Sequence, residues 1–233
     1  MGFFDPRYII FMMPAFILML LVQFYVSSAY RKWSQVQARS RISGAEAAQR
    51  LIKTNGLYNV RIESIAGNLS DHYDPRKKVL RLSTGTYHSN SIAALSIAAH
   101  ELGHAIQDSE GYFPLRLRAA LVPAVNIGSY LGWILLLIGL LLGFTNLALL
   151  GLIVFSAGAF FALATLPVEL NASARARRML LQSGLIVGKD EMSGVNNVLN
   201  AAALTYVAAL ITAIMQLLYY ATLIFGMGGR RRN

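Results

Sequence analysis

The chain has 233 residues, 55% of them hydrophobic and only 14% charged, with a mean hydropathy of +0.49 and a formal net charge of +10. Soluble domains carry charge at about a quarter of their positions, so this composition excludes an ordinary soluble globular protein. There is no cysteine, which excludes disulfide and thiolate chemistry, and no dense Lys/Arg patch interleaved with aromatics, so no nucleic-acid partner is expected.

No charged residue occurs from Tyr8 to Tyr30, from Ala119 to Val168 or from Met192 to Gly229, gaps of 23, 50 and 38 residues. A helix needs about 20 apolar residues to cross a bilayer core. The gaps therefore hold one, two and one spans around a single polar insert. The first span, about Tyr8 to Ala29, has Pro14 inside it and forms a membrane anchor within residues 1–30. It exceeds the apolar core of a secretion signal, about 7–15 residues, so a retained anchor is expected despite the small residues Ser27-Ser28-Ala29.

Residues 31–118 form the polar insert. Ser43 and Glu46 have the spacing of a capping box and open a helix carrying Ala47, Ala48, Leu51 and Ile52, closed by Asn55-Gly56. Asn59 to Ile65 and Val79 to Ser83 read as two strands on either side of the Asp74-Pro75 turn, expected to pair as a small antiparallel β-ribbon. Ser89-Asn90-Ser91 offers N-caps for a helix from about Ser91 to Asp108. Its apolar stripe, Ile92, Leu95, Ala99, Leu102 and Ile106, steps by three and four.

Spans two and three, about Ala119–Gly143 and Asn146–Leu166, are joined by the uncharged turn Gly143-Phe144-Thr145-Asn146 into a transmembrane hairpin over residues 119–167. Val168 to Leu181 is rich in alanine and arginine and continues as helix beyond a bend at Pro167, within a segment 168–200. Ser193 to Asn200 leads into the last span, about Ala201–Gly226, which ends in a basic tail. The insert carries thirteen Lys and Arg and the stretch Glu169 to Glu191 four, against one before the first span and three in Arg230-Arg231-Arg232. The hairpin puts the first two groups on one side, which the positive-inside rule assigns to the cytoplasm; the arginine tail is the count that dissents. Basic flanks of this kind also suit an anionic lipid bilayer.

The chemistry lies in AAHELGHAIQ, residues 98–107. His100-Glu101-Leu102-Gly103-His104 is an H-E-x-x-H pattern on a helix, where positions i and i+4 share one face and both imidazoles can bind one metal ion. Glu101 is turned aside, where it can take a proton from a water acidified by Zn2+. A catalytic zinc usually has three protein ligands. Without cysteine, the third must be histidine, aspartate or glutamate; past His104 the candidates are Asp108, Glu110, Glu169, Asp190 and Glu191.

Asp108 lies eight residues from His100, about 12 Å along a helix axis, too far to share one ion, and Glu110 is further. Asp190 and Glu191 fall in a loop after a glycine, where solvated acids are common. Glu169 is the only acid from Ala119 to Lys189 and stands at the end of a span, where an acid is costly without a job or a partner. It is either the third ligand, returned by the hairpin to the side where His100 and His104 lie, or an interfacial carboxylate paired with Arg175, Arg177 or Arg178.

AAHELGHAIQ, Asp71-His72-Tyr73-Asp74-Pro75 and Glu169-Leu170-Asn171-Ala172-Ser173 together resemble the YugP-like neutral zinc metallopeptidases of bacterial membranes, over nearly the whole chain. The resemblance implies a zincin-like α+β insert in a mainly α integral membrane protein of about four transmembrane helices. It implies zinc ligation by His100 and His104, with Glu101 as general base. The related HtpX-type membrane peptidases supply a downstream glutamate as third ligand, which maps onto Glu169. They usually place an aspartate four residues later to orient a zinc histidine; here that position is Ser173, with Asn171, Asp108 and Asp71 as other candidates. His72 or Tyr73 either hydrogen-bonds the tetrahedral oxyanion or belongs to a turn built by Asp71 and Asp74.

The expected activity is thus a membrane-embedded zinc endopeptidase acting on protein or peptide substrates, including membrane-associated ones. An extended substrate would add to the Val79–Ser83 strand as to a sheet edge. The alternative is a non-proteolytic membrane scaffold or small transporter, for which Gln23, Asn126, Gln216 and a few hydroxyls are the polar groups within the spans.

Overall fold

Long apolar runs with internal glycine and proline can satisfy their backbone in lipid only as helix, and helix dominates the chain. The computed structural model describes residues 6–230, so Arg231 and Arg232 of the basic tail lie outside the described residues. In chain order the elements are α1 (Pro6–Ser34), α2 (Gly44–Thr54), β1 (Arg61–Ile65), β2 (His72–Asp74), β3 (Val79–Ser83), α3 (Thr84–His88), α4 (Ile92–Ser109), α5 (Phe113–Leu142), α6 (Thr145–Phe155), α7 (Ala157–Gln182) and α8 (Gly188–Arg230). Among the described residues four helices are long and apolar enough to cross a membrane: Pro6–Ser34, Phe113–Leu142, Thr145–Gln182 and Gly188–Gly226.

The chain divides into two compact units. Of the described residues, one comprises 6–22, 116–166 and 205–230, the other Gln23–Leu115 and Pro167–Leu204. In the first, α5 and α6 form a hairpin whose backbones touch. A Cβ on Gly132 would strike the backbone of Phe155, one on Gly139 that of Ala148, and one on Gly151 that of Leu136. Small residues that admit such close approach replace the missing hydrophobic drive between helices in lipid. Leu136, Leu140, Ala148, Tyr219, Leu223 and Ile224 form its core.

The sequence expectation of a bend at Pro167 is met differently. α7 runs through Pro167 as helix, and the interruption falls upstream at Ser156, whose hydroxyl donates to the Ile153 carbonyl at 2.6 Å.

The second unit holds the sheet and α4. The Ser43–Glu46 capping box is present in full, and Asn55 caps the other end of α2 ahead of Gly56 at φ +69°. The sheet has the order β1-β3-β2, with β1 parallel and β2 antiparallel to β3. This corrects the two-stranded antiparallel ribbon. β2 is three residues long, too short for a periodic signal, and it occupies the antiparallel place beside β3. The turn between them is held by Asp74, whose Oδ1 accepts from the backbone N–H of Arg76 and Lys77 at 3.0 and 3.1 Å. Since β3 is the central strand, it offers no free edge.

α4 starts at its N-cap Ser91, whose hydroxyl accepts from Ala94 N–H at 3.2 Å. It is sunk in the core: Ile92, Leu95, Ala98, Ala99, Leu102 and Ala105 are all buried against α2, β3, α7 and the start of α8. α8 begins at Gly188, well before the expected last span, so the polar lead-in is helical. Its asparagines are used. Asn197 accepts from Trp33 Nε1 and donates to the Tyr25 hydroxyl, while Asn196 and Asn200 accept from Arg177. Asp190 and Glu191 lie in the first turn of α8 rather than in a solvated loop. Glu191 is buried and accepts from the backbone N–H of Arg39 and Val187 at 2.6 and 2.7 Å.

Candidate metal centre

α4 and α7 meet where neither has bulk. A Cβ on Gly103 would lie 2.7 Å from the carbonyl oxygen of Ala172 and 3.1 Å from its Cα. That contact puts the histidine face of α4 against the turn of α7 that carries Glu169. The rings of His100 and His104 stand edge to face, 4.9 Å apart between centroids. The buried Glu169 reaches both: its Oε2 is 3.2 Å from His100 Nε2 and 3.6 Å from His104 Nε2. One ligand-capable atom from each residue lies within 4.8 Å of the others, a grouping that could hold a metal ion. Of the five acids weighed from the sequence, this one meets the two imidazoles.

The ring nitrogens facing away are also engaged. His100 Nδ1 lies 3.2 Å from Ser173 Oγ. His104 Nδ1 lies 3.0 Å from Gln107 Oε1, while Gln107 Nε2 donates to the Val168 carbonyl at 2.8 Å. A carbonyl only accepts, so the Gln107 atom facing it is the amide nitrogen, and the oxygen faces His104. His104 Nδ1 therefore carries the hydrogen.

In the neutral ring, then, Nε2 points a bare lone pair towards the Glu169 carboxylate, also an acceptor. Two acceptors at this distance call for a cation between or upon them. Burial opposes a charged His104, yet the Glu169 carboxylate, helped by Glu101, outweighs it and raises the pKa of the ring above its ordinary value. The pocket thus favours positive charge where the three donors converge, and two imidazoles with one carboxylate suit zinc.

Glu101 is partly buried, and burial raises its carboxyl pKa above the ordinary range against the opposing pull of the two imidazoles. The other residues singled out from sequence serve the frame. Asp108 accepts from the Tyr73 hydroxyl at 2.8 Å and pairs with Lys78, tying β2 and its turn to the end of α4. Burial and this bond to Asp108 push the Tyr73 hydroxyl pKa up. Asp71 accepts from Ser83 N–H at 2.8 Å, and the exposed His72 lies 2.9 Å from the Ser70 carbonyl and 3.4 Å from Arg81. His72 and Tyr73 thus lie in strand β2 rather than in the turn expected of them, and the turn follows at Asp74. Of the candidates for orienting the histidines, Ser173 touches His100, Asn171 acts at one remove through Gln107, and Asp108 and Asp71 are engaged elsewhere. Gln107 was missed; its place one turn beyond His104 on the same helix was the available signal.

The family model described as "Putative neutral zinc metallopeptidase" matches residues 8–225 of the chain. The chain is 49% identical over 211 residues to the "Putative membrane protease YugP" of Bacillus subtilis (strain 168), covering 91% of this chain and 92% of that protein. No solved structure matches.

Proposed function

We propose, from the premise that the chain belongs to the family of neutral zinc metallopeptidases, that it is a membrane-embedded endopeptidase whose zinc is held by His100, His104 and Glu169. The observation that carries the reading is the convergence of Glu169 on two imidazole nitrogens, one with its lone pair directed by Gln107. A zinc ion held there supplies Lewis acidity, which polarises a peptide carbonyl and makes an adjacent water acidic near neutral pH.

The rest falls to the protein's own side chains. Glu101 is the general base, beside His100 in sequence but turned off the ligand face. Its carboxylate takes the proton from the attacking water and returns it to the nitrogen of the leaving amine. An extended substrate pairs with β2, the antiparallel edge strand joined to α4 through Tyr73 and Asp108. Substrates are proteins or peptides, including membrane-associated ones, since Glu169 stands on the helix Thr145–Gln182, which is long and apolar enough to cross a membrane. The excess of Lys and Arg in residues 31–118 and 169–191 supports a cytoplasmic site.

The test is zinc content and peptide cleavage by the detergent-purified wild type and by Glu101→Gln. The variant is expected to keep its zinc and lose cleavage. Undiminished cleavage would overturn the role of Glu101, and a wild type without zinc would overturn the metal site.

A further inference from the structure

Gln107 is fully buried, 0% exposed. An amide sealed from water needs partners at both ends, and here both ends are occupied. Oε1 accepts from His104 Nδ1, and Nε2 donates to the Val168 carbonyl and, at 3.0 Å, to Asn171 Oδ1. Asn171 Oδ1 also accepts from Arg175 Nε at 2.7 Å. The two terminal nitrogens of Arg175 grip the Glu110 carboxylate at 2.9 and 2.6 Å, and that contact holds the Glu110 carboxyl below its ordinary pKa.

This chain runs from an exposed ion pair to a buried imidazole. It begins on α4 at Gln107, crosses to Asn171 and Arg175 on α7, and returns to Glu110 at the end of α4. A carbonyl at one end can only accept and a guanidinium at the other can only donate. Neither amide between them can flip without losing a bond. Ser173, beside His100, imposes nothing comparable, because a hydroxyl can donate or accept.

We propose that Gln107 is a positioning residue that holds His104 in its Nδ1–H form with Nε2 turned to the metal. Asn171, Arg175 and Glu110 lock it there, so that metal retention depends on an ion pair at the protein surface. The proposal rests on the reading of His100, His104 and Glu169 as a zinc site.

The full-length protein in detergent provides the test, with zinc dissociation constants from chelator competition and absorption spectra of the cobalt(II)-loaded protein. Loss of a group that orients a ligand typically lowers metal affinity about 10–100-fold. Gln107→Met removes the acceptor at nearly constant size, and is expected to weaken zinc by that factor and to shift the cobalt bands. Gln107→Glu keeps an oxygen facing Nδ1 and, as the neutral carboxyl that full burial favours, donates its O–H to the Val168 carbonyl; it is expected to recover most of the loss, which a purely structural role would not produce. Arg175→Met, at the exposed end, is expected to weaken zinc several-fold, and it decides the outcome should Gln107→Met fail to accumulate.

A wild type that binds zinc while Gln107→Met or Arg175→Met binds equally well overturns the proposal and leaves the metal site standing. Equal weakening by Gln107→Met and Gln107→Glu also overturns it. A wild type without zinc overturns both readings.

Discussion

Gly103 of α4 and Ala172 of α7 pack backbone to backbone, with no room for a methyl group on the glycine. In AAHELGHAIQ this glycine stands between the two histidines, and Ala172 stands three residues after Glu169. The contact sets the separation of the two helices at the level of the site.

Gly103→Ala is expected to disturb that separation. Alanine gains about 1 kcal/mol of helix propensity, but overpacking costs about 1–3 kcal/mol, and the atoms met are backbone, which cannot rotate away. Packing should win, with a lowered melting temperature and weakened zinc binding. Wild-type zinc affinity in this variant would show that the contact does not set the site.

Glu169→Gln keeps the shape of the side chain and removes its charge. A ligand that binds only the folded state stabilises it by about 2.7 kcal/mol at a hundredfold excess over its dissociation constant. Added zinc should therefore raise the melting temperature of the chelator-treated wild type and leave that of Glu169→Gln unmoved. An equal rise in both would remove Glu169 from the ligand set.

Tyr73→Phe separates two roles. The hydroxyl donates to Asp108, so its loss should cost about 1 kcal/mol of stability, with peptide-cleavage kcat within a few-fold of wild type. A fall in kcat of a hundredfold or more, with stability kept, would instead assign the hydroxyl to the oxyanion.

Much of this arrangement was legible in the sequence because the signals were local or came from long runs. The capping box at Ser43 and Glu46, the N-cap at Ser91 and the four spans each follow from spacing within a few residues or from an uninterrupted apolar stretch. Glu169 was legible for another reason, since an isolated acid at the end of an apolar helix is costly and needs an explanation. What escaped was tertiary. β2 has three residues, and nothing in Val79–Ser83 states whether its neighbour runs parallel. Gln107 looks like a surface glutamine until α7 covers it. Glu191 reads as solvated until the Arg39 backbone, 152 positions earlier, is seen to donate to it.

Glu191→Ala should therefore be far more damaging than a surface substitution. It strands the backbone N–H groups of Arg39 and Val187, each worth about 1–3 kcal/mol when left without a partner. A loss of about 2–4 kcal/mol in the melting transition is expected, against near-neutral behaviour for the exposed neighbour in Asp190→Ala. Equal small effects would show that water replaces the carboxylate.

The hairpin α5–α6 lies between the two halves of the site in the order of synthesis. A nascent chain that ends between residues 104 and 168 carries both histidines and the glutamate beside them but lacks the carboxylate of α7. Assembly of the full donor set must await translation of both intervening spans. On the proposed reading of the site, an unfinished or truncated copy lacks one of the three zinc ligands, and the order of synthesis sets when the site can first form.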